Sequence, residues 1–388
     1  MSRIEGDQQL LEIQRIYDED QEKGRIATVE TDIPVSYEAI SPKWLTAVLC
    51  RAAPGAEVVD FRLGAVDNGT TNRRRIHLTY NAEGRKRNLP ASVFCKATQD
   101  LNSRIASCGM GDTELVFYTQ LRPQIDIEAP TAIFANIDRE SFNSILILND
   151  IGDVATFCTH ETDIDHDRAR QMVRLLASLH GTFYEDPLLT APGVALRPWP
   201  EFWAFMRRLG NDEASNRGFL DAKEVIPPRL YSRYDEVYPA TQRSVDSHLS
   251  LPKTFNHGDP HLRNWYVTDA GRMGLTDWGG ACVGHWSRDL AYALSVALKT
   301  EDRRAWERDL IDYYLDELES FGVPRIPFEL AWDYYRQQLF SSLAYWTVTL
   351  RPMPDYPALM QPVAPTMEFI GRIARAIDDL DAFDGFRA

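Results

Sequence analysis

Short runs rich in β-branched and aromatic residues mark the first part of the chain: VVDFRLGAV from Val58, RRIHLTY from Arg74, ASVFCKAT from Ala91, TAIFANI from Thr131 and SILILND from Ser144. Each has strand length, and the turn formers in Asp67 to Asn72 and Asn81 to Gly84 predict an antiparallel meander. Between the third and fourth runs, Asp112 can cap a helix through Glu114, Leu115, Phe117, Tyr118 and Leu121 that ends before Pro123. Five strands and a helix predict a compact first lobe over residues 31–148. Ahead of the strands, Ser41 and Pro42 predict the start of a helix to Leu49. Leu10, Ile13 and Tyr17 at helical spacing predict an amphipathic extension within residues 1–30.

From residue 149 the period changes to that of a helix. Ala169, Met172, Val173, Leu176 and Leu179 form one apolar face, with Gly181 at the expected stop. Residues 183–250 are helical and aromatic, interrupted by Pro192, Pro198 and the pair Pro227-Pro228, and read as an insertion. Further helices are predicted over 289–320, 328–350 and from Pro365 onward, so residues 149–388 make a mostly helical second lobe and the fold class is α+β.

Composition narrows the class. At 388 residues and 44% hydrophobic the chain can fill two cores. No run approaches the ~18 apolar residues of a membrane span, and the first thirty residues lack the apolar stretch of a signal peptide. Five scattered cysteines with no CxxC pair suggest neither a disulfide framework nor a thiolate zinc site. A cytoplasmic protein is expected. The formal charge of −15, with no basic block, argues against a nucleic-acid partner, because binding a phosphate backbone requires a basic face.

The candidate chemistry lies in Asn256-His257-Gly258-Asp259-Pro260-His261-Leu262-Arg263-Asn264, followed by a predicted hairpin, Trp265 to Val267 and Met273 to Thr276, leading into Asp277. Phosphoryl transfer needs a carboxylate to orient the acceptor hydroxyl and take its proton, and hard oxygen ligands for Mg²⁺. Asp259, Asn264 and Asp277 supply those parts, and the interval from Asp259 to Asn264 equals that of a kinase catalytic loop.

The pattern HGDPHLRN, LTDW and GHWSRDLAYAL resembles the aminoglycoside phosphotransferase and choline kinase superfamily, while ELVFYTQL and LILND resemble its ecdysteroid-kinase-like branch. The resemblance covers roughly residues 40–350. It implies a bilobal protein-kinase-like fold and transfer of the γ-phosphoryl group of ATP or GTP, with Mg²⁺, to a hydroxyl of a small molecule. By the same resemblance Asp259 is the catalytic base, Asn264 and Asp277 hold Mg²⁺, and Lys96 meets the α and β phosphates with Glu114 as its ion-pair partner. The loop with Gly69 and Thr70 would cover the phosphates, and the carbonyl of Asn149 and amide of Ile151 would meet a purine. The family more often has Glu at the position of Asn149. Asp289 resembles an aspartate that braces the catalytic loop, and His180 reads as a satisfied core histidine.

The acceptor is open. Trp199, Phe202, Trp203, Trp332, Tyr334, Tyr335, Tyr345 and Trp346 suit a flat or partly apolar molecule such as a sterol, macrolide or aromatic metabolite, and they equally suit a core. A monomer or homodimer without membrane contact is expected. Two other readings stand beside the kinase: a metallohydrolase with His257, Asp259 and His261 as ligands on an extended strand, and a kinase-shaped binding protein without catalysis.

Overall fold

The computed structural model describes residues 8–110, 112–194, 196–208, 210–351 and 361–387, so the first seven residues of the expected extension lie outside the described residues. The chain divides into two compact units: residues 1–122 with 130–153, and residues 123–129 with 154–388.

The first unit opens with helix α1 (Gln8–Lys23), which buries Ile13. Helix α2 (Pro42–Leu49) follows, and the Ser41 hydroxyl caps it by accepting from Trp44 N. The strands are β1 (Val58–Leu63), β2 (Asp67–Asn68), β3 (Asn72–Tyr80), β4 (Ser92–Ala97), β5 (Ala132–Ile137) and β6 (Ser144–Asn149). Among the described residues they form one antiparallel sheet in the order β1-β3-β4-β6-β5, with the two-residue β2 paired to β3. The five expected strands are present, and β2 adds a short piece inside the interval read as a turn.

Side chains on a strand alternate between faces. Val93 and Cys95 of β4 and Ile145 and Ile147 of β6 join Trp44, Leu45 and Val48 of α2 in one apolar cluster. Phe94 and Lys96 therefore project from the opposite face of β4.

Three short helices complete this unit: α3 (Ala82–Lys86), where a plain turn was expected, α4 (Leu101–Met110), which was not anticipated, and α5 (Thr113–Val116). Asn81 caps α3 by accepting from Gly84 N, which explains why a turn sequence folds as a helix. Arg104 of α4 pairs with Asp20 of α1 at 2.9 Å and lies over the Tyr17 ring. Asp112 does not cap α5, contrary to expectation; its carboxylate instead accepts from Arg139 at 2.6 Å. From α5 the chain continues as a π-helical turn over Phe117–Leu121.

In the second unit β7 (Ala155–Phe157) leads to helix α6 (His166–Thr182). Helices α7 (Trp199–Arg208), α8 (Asn211–Asp221), α9 (Pro228–Tyr231) and α10 (Tyr234–Asp246) fill the expected insertion. Four short strands follow: β8 (Thr254–Asn256), β9 (Trp265–Thr268), β10 (Met273–Leu275) and β11 (Cys282–Gly284). Strand β9 lies between β10 and β7, while β8 pairs with β11. The unit closes with α11 (Ser287–Ala297), α12 (Thr300–Ser320), α13 (Phe328–Thr347) and α14 (Val363–Asp379). Helix α13 packs against α8, α10, α11 and α14. No described helix is long and apolar enough to cross a membrane.

The α+β architecture, an antiparallel sheet with a helix in one unit and a mostly helical second unit, is the protein-kinase-like fold expected from the sequence.

Candidate active site

The loop from His257 to Asn264 is suspended between β8 and β9, and backbone bonds hold its shape. Gly258 has φ +82°, and a β-carbon there would lie 1.8 Å from the Gly280 carbonyl oxygen, so only glycine fits before Asp259. Beneath it, Asp289 of α11 accepts from Gly258 N at 2.9 Å and also from His257 N. Arg288 donates to the Gly258 carbonyl and lies 3.8 Å over the Trp199 ring. Burial alone would raise the Asp289 carboxyl, but His180, Arg288 and His257 outweigh it and hold the group below its ordinary value.

The loop is also tied to the strand that leads to Asp277. Asn264 Nδ2 donates to the Asp259 carbonyl at 2.9 Å, and Asn264's own carbonyl accepts from Thr276 N at 2.9 Å. His257 Nε2 donates to the Thr276 carbonyl at 3.0 Å, while its Nδ1 accepts from Asp259 N at 3.2 Å. Asp277 follows with φ +66°, a left-handed conformation uncommon for aspartate and held by structure on both sides. Asp259, Asn264 and Asp277 are thereby linked through short backbone paths.

Those same bonds overturn the metallohydrolase reading. Strand β8 ends at Asn256, and both nitrogens of His257 are already engaged. Among the described residues, no three His, Cys, Asp or Glu side chains are grouped to hold a metal.

In the first unit, Lys96 Nζ lies 2.7 Å from Glu114 Oε1, with both side chains about nine-tenths buried. The Gly69 loop is the tip of the β2–β3 hairpin: Gly69 N donates to the Thr71 carbonyl at 3.0 Å, and Thr70 is exposed. Asn149 ends β6, and its side-chain oxygen accepts from Thr131 N at 2.6 Å. Next to it, Asp150 accepts from Ser92 Oγ at 2.6 Å and pairs with Arg75, which fixes the segment that carries Ile151.

Tyr292 was not singled out in the sequence. Its hydroxyl donates to Asp259 Oδ1 at 2.8 Å. The signal was its place three residues after Asp289 on one helix, which puts both side chains on the same face. His180 is satisfied, as expected, by Tyr314 OH at 2.7 Å; its other nitrogen, 3.3 Å from Asp289, makes it part of the brace as well. Of the eight aromatics considered for the acceptor, Trp332 and Tyr335 stack within α13, and Tyr335 is fully buried. Trp199 lies under Arg288, Tyr345 meets the Tyr292 ring and Trp346 meets the His261 ring.

Residues 141–326 match the model of the phosphotransferase enzyme family, a span that contains the Asp259 loop and Asp277. No curated relative matches the chain in sequence. Among solved structures, a candidate aminoglycoside phosphotransferase from Ralstonia eutropha aligns with TM-score 0.51 and 14% identity, over 87% of this chain and 96% of that one. The GDP complex of an aminoglycoside 2′-phosphotransferase variant aligns with TM-score 0.50 and 10% identity, over 89% of this chain and 99% of that one. Choline kinase from Streptococcus pneumoniae aligns with TM-score 0.44 and 13% identity, over 82% of this chain and 94% of that one. The match to the phosphotransferase enzyme family thus falls on the segment that carries the polar groups of the loop, and the fold of these phosphotransferases is shared along most of the chain.

Proposed function

We propose that this phosphotransferase moves the γ-phosphoryl group of ATP or GTP, with Mg²⁺, to a hydroxyl of a small molecule, with Asp259 as the base. The observation that carries the reading is the set of bonds joining Asn264 to the Asp259 carbonyl and Thr276 to both His257 and Asn264. They couple one carboxylate suited to proton transfer with two further oxygen donors. That donor set fits magnesium, which is typically held by one or two carboxylates with phosphate and water completing its shell. Asn264 and Asp277 would hold the ion, which when bound supplies charge to offset that of the phosphates.

Lys96, aligned by its buried pair with Glu114, would meet the α and β phosphates. The Gly69–Thr70 hairpin tip would lie toward the phosphates, and Asn149 and Ile151 toward the base. The GDP bound to one structural neighbour supports a nucleotide ligand. Asp259 orients the acceptor hydroxyl and receives its proton as the new phosphorus–oxygen bond forms and the nucleoside diphosphate leaves. Tyr345, half-buried against the Tyr292 ring, is the aromatic of this group with surface left to meet an acceptor, which would suit one with an apolar or flat part such as a sterol-like or macrolide-like alcohol.

Asp259→Asn tests the base. Its turnover, read as diphosphate release across a panel of hydroxylated acceptors, should fall by about 10² to 10⁴ while nucleotide affinity stays near that of the wild type. Wild-type turnover in this variant would sink the assignment.

A further inference from the structure

Asp259 has two unequal oxygens. Its Oδ1 accepts from the Tyr292 hydroxyl at 2.8 Å, whereas its Oδ2 lies 3.6 Å from His261 Nε2, too far for a hydrogen bond. We infer that Tyr292 is a positioning residue that occupies Oδ1 and holds the carboxylate so that Oδ2 is the oxygen that takes the acceptor's proton. The inference rests on Asp259 being the base.

Several observations support it. An ionised carboxylate only accepts, so the phenol must be the donor in this bond. Burial, followed by the neighbouring Asp259 charge and its hydrogen bond, pushes the Tyr292 phenol well above its ordinary value, so the proton stays on the tyrosine. The Tyr292 side chain cannot wander: it is 1% exposed, sits on a helix whose residues are all buried, and packs edge-on against Tyr345 with ring centroids 6.2 Å apart. Asp259, by contrast, keeps 27% of its side chain exposed. It therefore has solvent-side freedom that a bond from a rigid partner removes.

On the other side, His261 is buried, burial lowers its basicity, and its Nε2 stays beyond hydrogen-bond reach of Oδ2, so that oxygen keeps its lone pairs for the acceptor. In the transfer, the acceptor oxygen bonds to the γ-phosphorus, the bond from that phosphorus to the β-phosphate oxygen breaks, and the acceptor's proton moves to Oδ2. The Oδ1 bond to Tyr292 stays intact throughout. Misplacing a reacting group by an ångström is worth up to about 10²-fold in rate, which sets the size of the expected effect.

The test compares wild type, Tyr292→Phe and Asp259→Asn by ADP release from Mg·ATP with water as the acceptor, alongside the melting temperature. Tyr292→Phe keeps the ring and its packing. It should lose about 10- to 100-fold in kcat with KM for Mg·ATP and melting temperature unchanged. Tyr292→Gln, whose amide can donate, should recover part of the lost kcat. Wild-type kcat in Tyr292→Phe together with an inactive Asp259→Asn would overturn the positioning role alone. A kcat loss that merely tracks a lowered melting temperature would also overturn it. Wild-type turnover in Asp259→Asn would instead remove the base assignment beneath it.

Discussion

Gly258 leaves no room for any other residue. An alanine there would bring its β-carbon to 1.8 Å from the Gly280 carbonyl and keep a left-handed φ of +82°. Gly258→Ala should therefore displace Asp259, reducing diphosphate release by about 10²-fold or more while circular dichroism still reports a folded chain. A second residue-scale effect comes from His248, fully buried, whose Nδ1 accepts from His285 N at 2.8 Å while Nε2 donates to Gln338 Oε1 at 3.1 Å. Protonating Nδ1 would set two N–H groups against each other. Burial accordingly lowers His248 to about 4, against an ordinary value of 6.5. Between those values the unfolded chain binds more protons than the folded one, so stability is full above pH 6.5 and is lost as the pH falls through 4. The loss is on the order of 3 kcal/mol, and unfolding midpoints measured across this window should fall less steeply for His248→Asn than for wild type. Equal slopes would contradict the assignment.

Helix α11 does the most to shape the site, because one element supplies Arg288 to the Gly258 carbonyl, Asp289 to two loop amides and Tyr292 to Asp259. Removing Asp289 leaves those buried amides and His180 without their acceptor. Asp289→Ala should therefore cost about 3 to 5 kcal/mol in urea unfolding, whereas Asp289→Asn, which keeps a carbonyl acceptor, should cost less. Comparable costs for the two would mean that the carboxylate is not the brace. This element also shows what the sequence could and could not convey. The loop-bracing role of Asp289 was readable from its motif, and the sheet strands from their turn-bounded composition. The Tyr292 contact was not, because it joins residues 33 positions apart, and local periodicity says nothing about which loop a helix face meets. The Asp112 cap failed for a similar reason: Arg139, distant in sequence, offered the carboxylate a charged partner in place of an uncharged backbone amide. Helix α4 was missed because its sequence, LNSRIASCGM, has little apolar periodicity; its Arg104 instead takes its partners from α1.

At the scale of the whole molecule, the fold follows from the shared architecture, and the match to the phosphotransferase family lies over residues 141–326. The net charge of −15 is consistent with a small-molecule substrate rather than a nucleic acid. The acidic surplus does not select the acceptor. Trp346 and Trp199 are themselves buried, so they do not select it either, and a screen should span hydroxylated acceptors of differing charge and polarity. The most direct test of the central claim is a thermal-shift titration with ATP and with GTP, each with and without Mg²⁺, on wild type, Lys96→Ala and Asp277→Ala. Each variant is compared with its own ligand-free midpoint, because Lys96→Ala removes a buried ion-pair partner of Glu114. A nucleotide at 100 times its dissociation constant should stabilise the wild type by about 2.7 kcal/mol, with the shift dependent on Mg²⁺ and lost in both variants. No shift with either nucleotide at millimolar concentration, or a full shift retained in both variants, would contradict the account.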